Sequence, residues 1–285
     1  MLNVIVNQTA RRAEKLAAQA EETLKSAGVP CRVFYTDKRG AAIKYARSLS
    51  QTGGTEFMVI GGDGTVNEVL SGLEDPSRCT LAVLPAGTGN DFAAAADIPL
   101  GAKALELCLE GEPRPVDYIE CGQRRSLNIV GMGIDVEILR RCEGMRYGSR
   151  KGRYFRALVA SLLSYRGEKV RVTVDGESRE YTALIAALCN GTRLGGGIPL
   201  CPPARYDDGR LELVVVECPP FAKLLPELIR LMRGKLLTRP ITHHIACTEA
   251  TLTGGGYVQY DGEIVGQETL CAHIVRGGLK MYCGR

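Results

Sequence analysis

The first 120 or so residues alternate short apolar runs with segments of helical periodicity, and this alternation limits the fold more than any other feature of the chain. Strand-like runs occur at Leu2–Val6, Cys31–Tyr35, Glu56–Ile60 and Thr80–Leu84. Apolar residues at helical spacing fill the intervals, at Thr9–Ala27, Gly40–Leu49 and Val66–Leu73. This order predicts an α/β domain built on a mainly parallel sheet.

After about Cys121 the pattern changes to strands at shorter intervals, separated by turns that contain Gly and Pro. We expect strands at Lys169–Val174, Tyr181–Cys189, Leu211–Glu217 and Ile245–Leu252, and helices at Gly152–Tyr165 and Phe221–Arg233. Such a pattern predicts a second, largely antiparallel domain. The change falls near Glu120–Gly122 without a Ser/Pro-rich linker.

The composition limits the classes of partner and the cellular location that we expect. The 36 Lys and Arg against 32 Asp and Glu leave a net charge of +4, which suits contact with phosphates or an anionic surface. Nucleic-acid-binding proteins are usually more basic, so we expect no nucleic-acid partner. No apolar run reaches the roughly 18 residues that span a bilayer, which predicts a cytoplasmic protein. The 11 cysteines contain no C-x-x-C pair, and we expect reduced, partly buried thiols.

A glycine-rich loop follows the third predicted strand. Gly61, Gly62 and Gly64 surround Asp63, and a helix follows at once. Backbone N–H groups in such a loop can approach phosphate oxygens at a helix N-terminus. Asp63 could bind Mg²⁺ through water or order the site, while Thr65 could cap the helix and reach a phosphate oxygen. The alternative is a plain Gly-Asp-Gly turn.

A second glycine loop follows the fourth strand, where Gly87-Thr88-Gly89 leads into Asn90 and Asp91. Neighbouring strands of a parallel sheet present their loops at the same edge, where ligands usually bind. One ligand could therefore contact both loops. The alternative is a simple connection in which Asn90 or Asp91 caps the next helix.

Together the two loops resemble the signatures of the diacylglycerol kinase catalytic domain, especially that of soluble bacterial lipid kinases. Gly61–Thr65 with Asn67 and Glu68 is shared with NAD kinases and loosely with phosphofructokinases, whereas Leu84–Ala93 is far more specific. The resemblance continues through the second half of the chain, at Asn190–Gly191, Gly195–Gly197, Pro202–Ala204, Asp207–Gly209 and Asp261–Glu263.

The resemblance implies an α/β nucleotide-binding domain at residues 1–121, to which the final segment 276–285 returns, and a mainly antiparallel β-sandwich domain at 122–275. The active site would lie in the cleft between the domains, with ATP and Mg²⁺ as cofactors. ATP contacts are implied for Asn7, Thr36, Gly61, Gly62, Asp63, Gly64, Thr65, Asn67, Glu68, Gly87 and Thr88. The first loop, Asn7–Arg11, lacks the Pro and Gly of the family's Asn-Pro-x-Ser/Ala-Gly.

The resemblance also assigns carboxylates. A positioned carboxylate helps a hydroxyl that attacks a γ-phosphate by taking its proton, and Glu263 matches the family's proton acceptor. Without the resemblance, Asp261-Gly262 predicts only a hairpin turn. Asp117 matches a position linked to Asp63 and Asp91 through water and Mg²⁺, although a surface carboxylate on a strand is the alternative. Three further positions match a loop whose backbone carbonyls hold a structural Mg²⁺ in some members, namely Arg205, Asp208 and Arg210.

Two predicted helices combine apolar faces with basic residues. In the first segment the basic residues are Arg140, Arg141, Arg146, Arg150, Lys151, Arg153, Arg156 and Arg166, and the apolar ones are Tyr154, Phe155, Leu158, Val159, Leu162 and Tyr165. In the second, Leu224, Leu225, Leu228 and Met232 lie among Lys223, Arg230, Arg233 and Lys235. Such faces suit an anionic membrane or pack on the protein core, and both alternatives stay open.

The resemblance implies an ATP-dependent lipid kinase that phosphorylates a lipid hydroxyl, with diacylglycerol favoured and phosphatidic acid as its product. We expect it in the cytoplasm, peripherally associated with the inner face of the membrane. Two alternatives remain, an NAD kinase-like enzyme and a non-catalytic lipid- or nucleotide-sensing protein.

Overall fold

The computed structural model describes residues 1–10, 12–145, 147, 150–267 and 269–284, and only the backbone at 150, 151 and 155. The strands are β1 Leu2–Asn7, β2 Cys31–Thr36, β3 Glu56–Gly61, β4 Thr80–Pro85, β5 Arg114–Cys121, β6 Arg124–Ser126, β7 Ile129–Gly133, β8 Glu168–Val174, β9 Glu177–Cys189, β10 Leu211–Glu217, β11 Thr242–Cys247, β12 Glu249–Gly254, β13 Tyr257–Tyr260, β14 Glu263–Gln267 and β15 Leu270–Met281. The helices are α1 Ala13–Ser26, α2 Ala41–Gln51, α3 Asp63–Gly72, α4 Asp91–Ala95, α5 Ala102–Glu110, α6 Ile134–Glu143, α7 Arg150–Ser164 and α8 Phe221–Met232.

The N-terminal half is the predicted α/β domain. Its parallel strands lie in the order β4-β3-β1-β2. They are apolar along most of their length because helices cover the sheet; α1, for example, buries Ala13, Ala17, Ala20 and Leu24. Gly61 at the end of β3 lies opposite Pro85 at the end of β4. The two glycine loops therefore start side by side at the carboxyl edge of the sheet.

The C-terminal half is antiparallel and sandwich-like, as predicted. Its long strand β9 pairs with β7, β8 and β10. Side chains alternate between two cores because successive residues of a strand point to opposite faces. Along β10, Leu213 and Val215 enter a core between strands, while Val214 and Val216 face a core that α6, α7 and α8 help to form.

The last strand joins the two halves. β15 pairs antiparallel with β12 and β5, and its end pairs in parallel with β4 at Lys280 and Met281. The register with β5 shifts between Val275 and Leu279. One strand thus carries hydrogen bonds into both the parallel and the antiparallel parts of the sheet.

Two sequence predictions are wrong in detail. Helix α1 begins at Ala13 rather than Thr9, because the N–H and hydroxyl of Thr9 donate to Asn7 Oδ1 and hold a turn there. The single strand predicted at Ile245–Leu252 is two strands that separate after Cys247. β11 pairs with β10, whereas β12 pairs with β8 and β15.

Two further observations concern the whole described chain. Among the described residues, no helix combines the length and apolar character needed to cross a membrane. All eleven cysteines are free thiols.

Candidate active site

The two glycine loops are in backbone contact. A Cβ atom added to Gly87 would lie 2.5 Å from the Cα of Gly62, and one added to Gly62 would lie 2.9 Å from the Cα of Gly87. A Cβ at Gly61 would lie 2.6 Å from Thr65 Oγ1. Larger residues would push the loops apart, so glycine at these positions lets both loops form one continuous surface.

Helix α3 begins within the first loop, at Asp63. The N–H groups of Thr65 and Val66 both donate to Gly62 O, at 2.9 and 3.1 Å. The helix N-terminus is an electrostatically favourable place for an anion. The predicted cap by Thr65 is wrong: Gly62 is the capping residue, and Thr65 lies in the first turn, where its hydroxyl accepts from Asn7 Nδ2 at 2.9 Å.

Two carboxylates lie together where the loops meet. Asp63 Oδ1 accepts from the N–H of Phe92 at 3.2 Å, and Asp91 Oδ2 accepts from the N–H of Gly196 at 2.7 Å. Burial, and then the neighbouring Asp91 charge, raise the pKa of Asp63 to about 6. Asp91 Oδ1 is buried and has no hydrogen-bond partner among the described residues. Paired carboxylate oxygens of which one is unsatisfied fit a hard divalent cation such as Mg²⁺.

The other polar residues predicted to contact ATP are bonded within the protein. Glu68 accepts from the N–H groups of Gly40 and Ala42, at 2.8 and 3.1 Å, and so anchors the start of α2. Asn67 donates to Arg125 O, and the hydroxyl of the buried Thr36 to Val6 O. All three side chains therefore stabilise the fold through these hydrogen bonds. Contact of a nucleotide with these residues, or with Thr88, stays a prediction.

Glu263 reaches the first glycine loop from the other half of the chain. It follows the two-residue turn Asp261-Gly262, which joins β13 to β14 with positive φ angles of 48° and 83°. A Cβ at Gly64 would lie 3.5 Å from Glu263 Oε1, and the same oxygen accepts from Arg39 Nε at 3.1 Å. Burial raises the pKa of Glu263, and the Arg39 guanidinium opposes that rise.

The side chain of Asp261 organises this turn, a role that the sequence analysis missed. Its carboxylate accepts five hydrogen bonds at 2.5–3.1 Å, from the side chains of Asn67 and Ser126 and from the backbone N–H groups of residues 127, 128 and 129. Asn67 belongs to α3 and the other four donors belong to the second half. Asp261 therefore fixes the base of the Glu263 turn against both halves.

Asp117, on β5, contacts the loop before β10 and strand β15. Its two carboxylate oxygens accept from the N–H groups of Gly209 and Gly277, each at 2.6 Å. It ties β15 to the loop that carries the predicted structural metal site. In that loop, Arg205 pairs with Asp207 at 3.2 Å, and Asp208 accepts from the N–H of Arg210 at 3.0 Å. Links through water or Mg²⁺ from Asp117 to Asp63 and Asp91, and a cation at this loop, stay predictions.

A cavity of about 480 Å³ adjoins Glu263 between α2, α3 and the β5–β6 turn. Polar groups line much of it, including Arg47, Asn67 and Arg124. Arg124 also stacks over the Tyr260 ring, 5.6 Å from its centre. Glu263 therefore lies between this cavity and the glycine loop.

Both halves of the chain match known protein families. The diacylglycerol kinase catalytic domain matches residues 1–121, and the YegS C-terminal NAD kinase beta sandwich-like domain matches residues 128–283. A Chromohalobacter salexigens protein named "Probable lipid kinase YegS-like" is 32% identical over 209 residues, which are 70% of this chain and 65% of that protein. A Staphylococcus saprophyticus protein named "Diacylglycerol kinase" is 30% identical over 226 residues, 78% of this chain and 73% of that one.

A solved structure shows the same arrangement of both halves. The crystal structure of a diacylglycerol kinase from Bacillus anthracis str. Sterne matches with a TM-score of 0.78 and 26% identity. The match covers 99% of this chain and 96% of that one.

Proposed function

The chain belongs to the lipid kinase family that contains the diacylglycerol kinase catalytic domain, and we propose that it transfers the γ-phosphate of ATP to a diacylglycerol hydroxyl. One observation carries the proposal: the Glu263 carboxylate of the second half lies against Gly64 in the glycine loop of the first. A phosphate donor on the loop and a proton acceptor would then meet in the cleft between the halves.

The glycine loops are suited to hold the phosphates. Their backbones approach closely, and the N-terminus of α3 favours negative charge. Transfer then needs alignment more than covalent help from the protein. The acceptor oxygen forms a bond to the γ-phosphorus, and its proton goes to Glu263. The bond from the γ-phosphorus to the bridging oxygen breaks, and ADP leaves with that electron pair.

Asp63 and Asp91 are the residues that would hold Mg²⁺. The pKa of Asp63 is raised to about 6, yet the group is mostly ionised at neutral pH and could then bind a cation. The ion, when bound, neutralises charge on the phosphate oxygens. The protein's own part is to hold both carboxylates through the N–H groups of Phe92 and Gly196.

Diacylglycerol is the favoured acceptor because a relative with that activity in its name aligns with 78% of the chain. The diacylglycerol kinase model matches the half that carries both glycine loops, which favours a lipid kinase over the NAD kinase-like alternative. The ionisable pair Asp63 and Asp91 and the placed Glu263 favour catalysis over sensing alone.

An anionic membrane is the proposed docking surface, and α8 supplies the best evidence. Phe221, Leu225, Ile229 and Met232 form a stripe along this helix that is 42–68% exposed. Lys223 and Arg233 lie nearby in the chain and are exposed as well. A basic rim around an apolar stripe favours attachment to an anionic bilayer.

The predicted apolar face of α7 is divided. Tyr154, Leu158, Leu162 and Tyr165 pack against the core, while Val159 stays partly exposed. On α8, Leu224 is buried and Leu228 is partly buried in the same core. Arg146 and the side chains of Arg150, Lys151 and Phe155 lie outside the described residues. The membrane proposal therefore rests on the outer stripe of α8.

Vesicle binding tests the docking surface. Binding should increase with anionic lipid content and fall with salt. Leu225→Asp should weaken it by several-fold, since a charge would enter the apolar contact, whereas Leu109→Asp on α5 should not. Equal vesicle binding by both variants would show that the exposed stripe of α8 does not contact the membrane.

The catalytic role of Glu263 is tested by Glu263→Gln, with Glu177→Gln as the matched control. Loss of the base should lower turnover on diacylglycerol by about 10² to 10⁴. ATP affinity and melting temperature should change little, because the proposed phosphate contacts lie on the glycine loops. Unimpaired turnover would reject Glu263 as the base, and a matching loss in the Glu177 variant would show that the effect is not local.

A further inference from the structure

We propose that Arg39 is a positioning residue that releases Glu263 when ATP occupies the glycine loop. The proposal rests on the proposed function, since it concerns the same site. In the structure Arg39 holds the carboxylate; with nucleotide bound, the guanidinium transfers its contact to the γ-phosphate and leaves Glu263 available to the acceptor hydroxyl.

Arg39 contacts Glu263, which in turn lies against the glycine loop. Its Nε donates to Glu263 Oε1 at 3.1 Å, and this oxygen is the atom that faces Gly64. The other donors of the guanidinium form no hydrogen bond or ion pair with another carboxylate in the described part of the chain. Its side chain is 59% exposed, so little packing opposes a change of partner.

The backbone around Arg39 is anchored although the side chain is exposed. Gly40, the next residue, has a positive φ of 79° and donates its N–H to Glu68 on α3. Ala42 donates to the other oxygen of Glu68. Because α3 also begins at the glycine loop, Arg39 is carried by a segment tied to the element that would bind phosphate.

Electrostatics favours movement of the Arg39 contact from Glu263 to the γ-phosphate. A carboxylate bound to a guanidinium is a weaker base, so a fixed ion pair would oppose proton transfer. The γ-phosphate offers Arg39 more negative charge than one carboxylate, and guanidinium groups bind phosphates well. An arginine on the transferred phosphate also stabilises charge in the transition state. Movement of Arg39 to the γ-phosphate would therefore leave Glu263 a stronger base and stabilise charge in the transition state.

The pH dependence follows from all charged groups around Glu263. Burial raises the pKa of Glu263, Arg39 opposes that rise, and Glu68 on α3 and Asp261 in the turn add to it. Arg47 on α2 and Arg124 line the adjoining cavity, and Glu143 at the end of α6 acts on Arg39. With Arg39 removed, the pKa of Glu263 rises in the free enzyme. In the ATP complex it changes less, because Arg39 has already left the carboxylate.

The experiment compares pH profiles of wild type, Arg39→Met, Arg39→Lys and the control Lys38→Met, with diacylglycerol micelles as acceptor. The profile of kcat/KM for ATP reports groups of the free enzyme, and that of kcat reports groups of the complex. In Arg39→Met, we expect kcat to fall about 10²-fold. The acidic limb of kcat/KM should move to higher pH by more than the limb of kcat. Arg39→Lys should restore part of the rate.

Two results would overturn the role of Arg39. Equal movement of both limbs would mean that Arg39 never leaves Glu263. Unmoved limbs with wild-type kcat, or the same changes in Lys38→Met, would show that the contact has no part in turnover. A wild-type enzyme that transfers no phosphate to lipid would instead reject the proposed function, and with it this role.

Discussion

The tripeptide Asp-Gly-Glu occurs twice in the chain, and the two copies share a backbone conformation but differ in burial and contacts. Asp175-Gly176 and Asp261-Gly262 both form two-residue hairpin turns, with φ angles of 51° and 81° in the first and 48° and 83° in the second. Asp175 is exposed, and the side chain of Glu177 makes a 3.6 Å contact with Arg179 at the surface. Asp261 accepts five hydrogen bonds, and Glu263 faces the glycine loop.

The difference shows what turns a hairpin into part of a site. Both aspartates tolerate a left-handed backbone, which is why Asp-Gly suits such turns. Only the second turn lies against donors from α3 and from residues 126–129, and these hold it in one position. A carboxylate that follows such a turn is held in one position, as the proposed proton transfer requires.

Asp261→Asn against Asp175→Asn tests this comparison with the largest expected effect on stability. The amide group at position 261 would turn a donor toward backbone N–H groups, so the free energy of unfolding should fall by about 3 kcal/mol. The change at Asp175 should stay within about 0.5 kcal/mol, as at other surface positions. Urea unfolding measures both. A loss at position 261 as small as that expected at 175 would mean that the five hydrogen bonds add no measurable stability.

Asp63→Asn extends the comparison to a carboxylate whose neighbourhood is unfavourable to its charge. The raised pKa of Asp63 means that its ionisation lowers folded-state stability as pH rises from about 4 through about 6. The variant should match wild type near pH 4 and exceed it by about 2 kcal/mol at pH 7.5, discounted for partial exposure. Phosphate transfer should meanwhile fall to background.

The control for Asp63 is the addition of Mg²⁺. The ion should raise the melting temperature of wild type and change that of the asparagine variant much less. A variant that is less stable than wild type at pH 7.5, or that gains equally from Mg²⁺, would contradict the assignment of a functional, electrostatically costly carboxylate.

Ser126→Ala against Ser178→Ala gives the smallest effect. Ser126 donates to Asp261 Oδ1 at 2.5 Å, and its replacement should cost about 1 kcal/mol because one of the five hydrogen bonds to Asp261 disappears. Ser178 shares a 2.8 Å hydrogen bond with Thr173 at the exposed hairpin, where water replaces it. Thermal unfolding would show the difference, and a Ser178 effect as large as that of Ser126 would contradict it.

Local pattern predicted much of the fold. Apolar strands that alternate with helices established the parallel half, since their periodicity and the loops between them are encoded within short windows. The pairing partners of each strand are not encoded within such short windows. Nothing between Ile245 and Leu252 marks the break after Cys247, because it arises from a change of partners between β10 on one side and β8 and β15 on the other.

The candidate site divides in the same way. The glycine loops and Asp63 can be recognised from the sequence because each loop is formed by consecutive residues. Local pattern alone does not distinguish the structural role of Asp261 from that of Asp175, since the donors to Asp261 come from about 130 and 190 residues earlier in the chain. Arg39 had no local signal either; only the folded chain brings it to a glutamate 224 residues away.

The central claim is that this chain phosphorylates a lipid, and identification of the labelled product tests it most directly. Wild-type protein would be incubated with Mg²⁺, γ-labelled ATP and, in separate reactions, diacylglycerol, phosphatidylglycerol, sphingosine or NAD. We expect label in the extracted lipid, strongest as phosphatidic acid, and none when Asp63→Asn replaces wild type. Label confined to the NAD reaction, or no labelled lipid under any condition, would contradict the account.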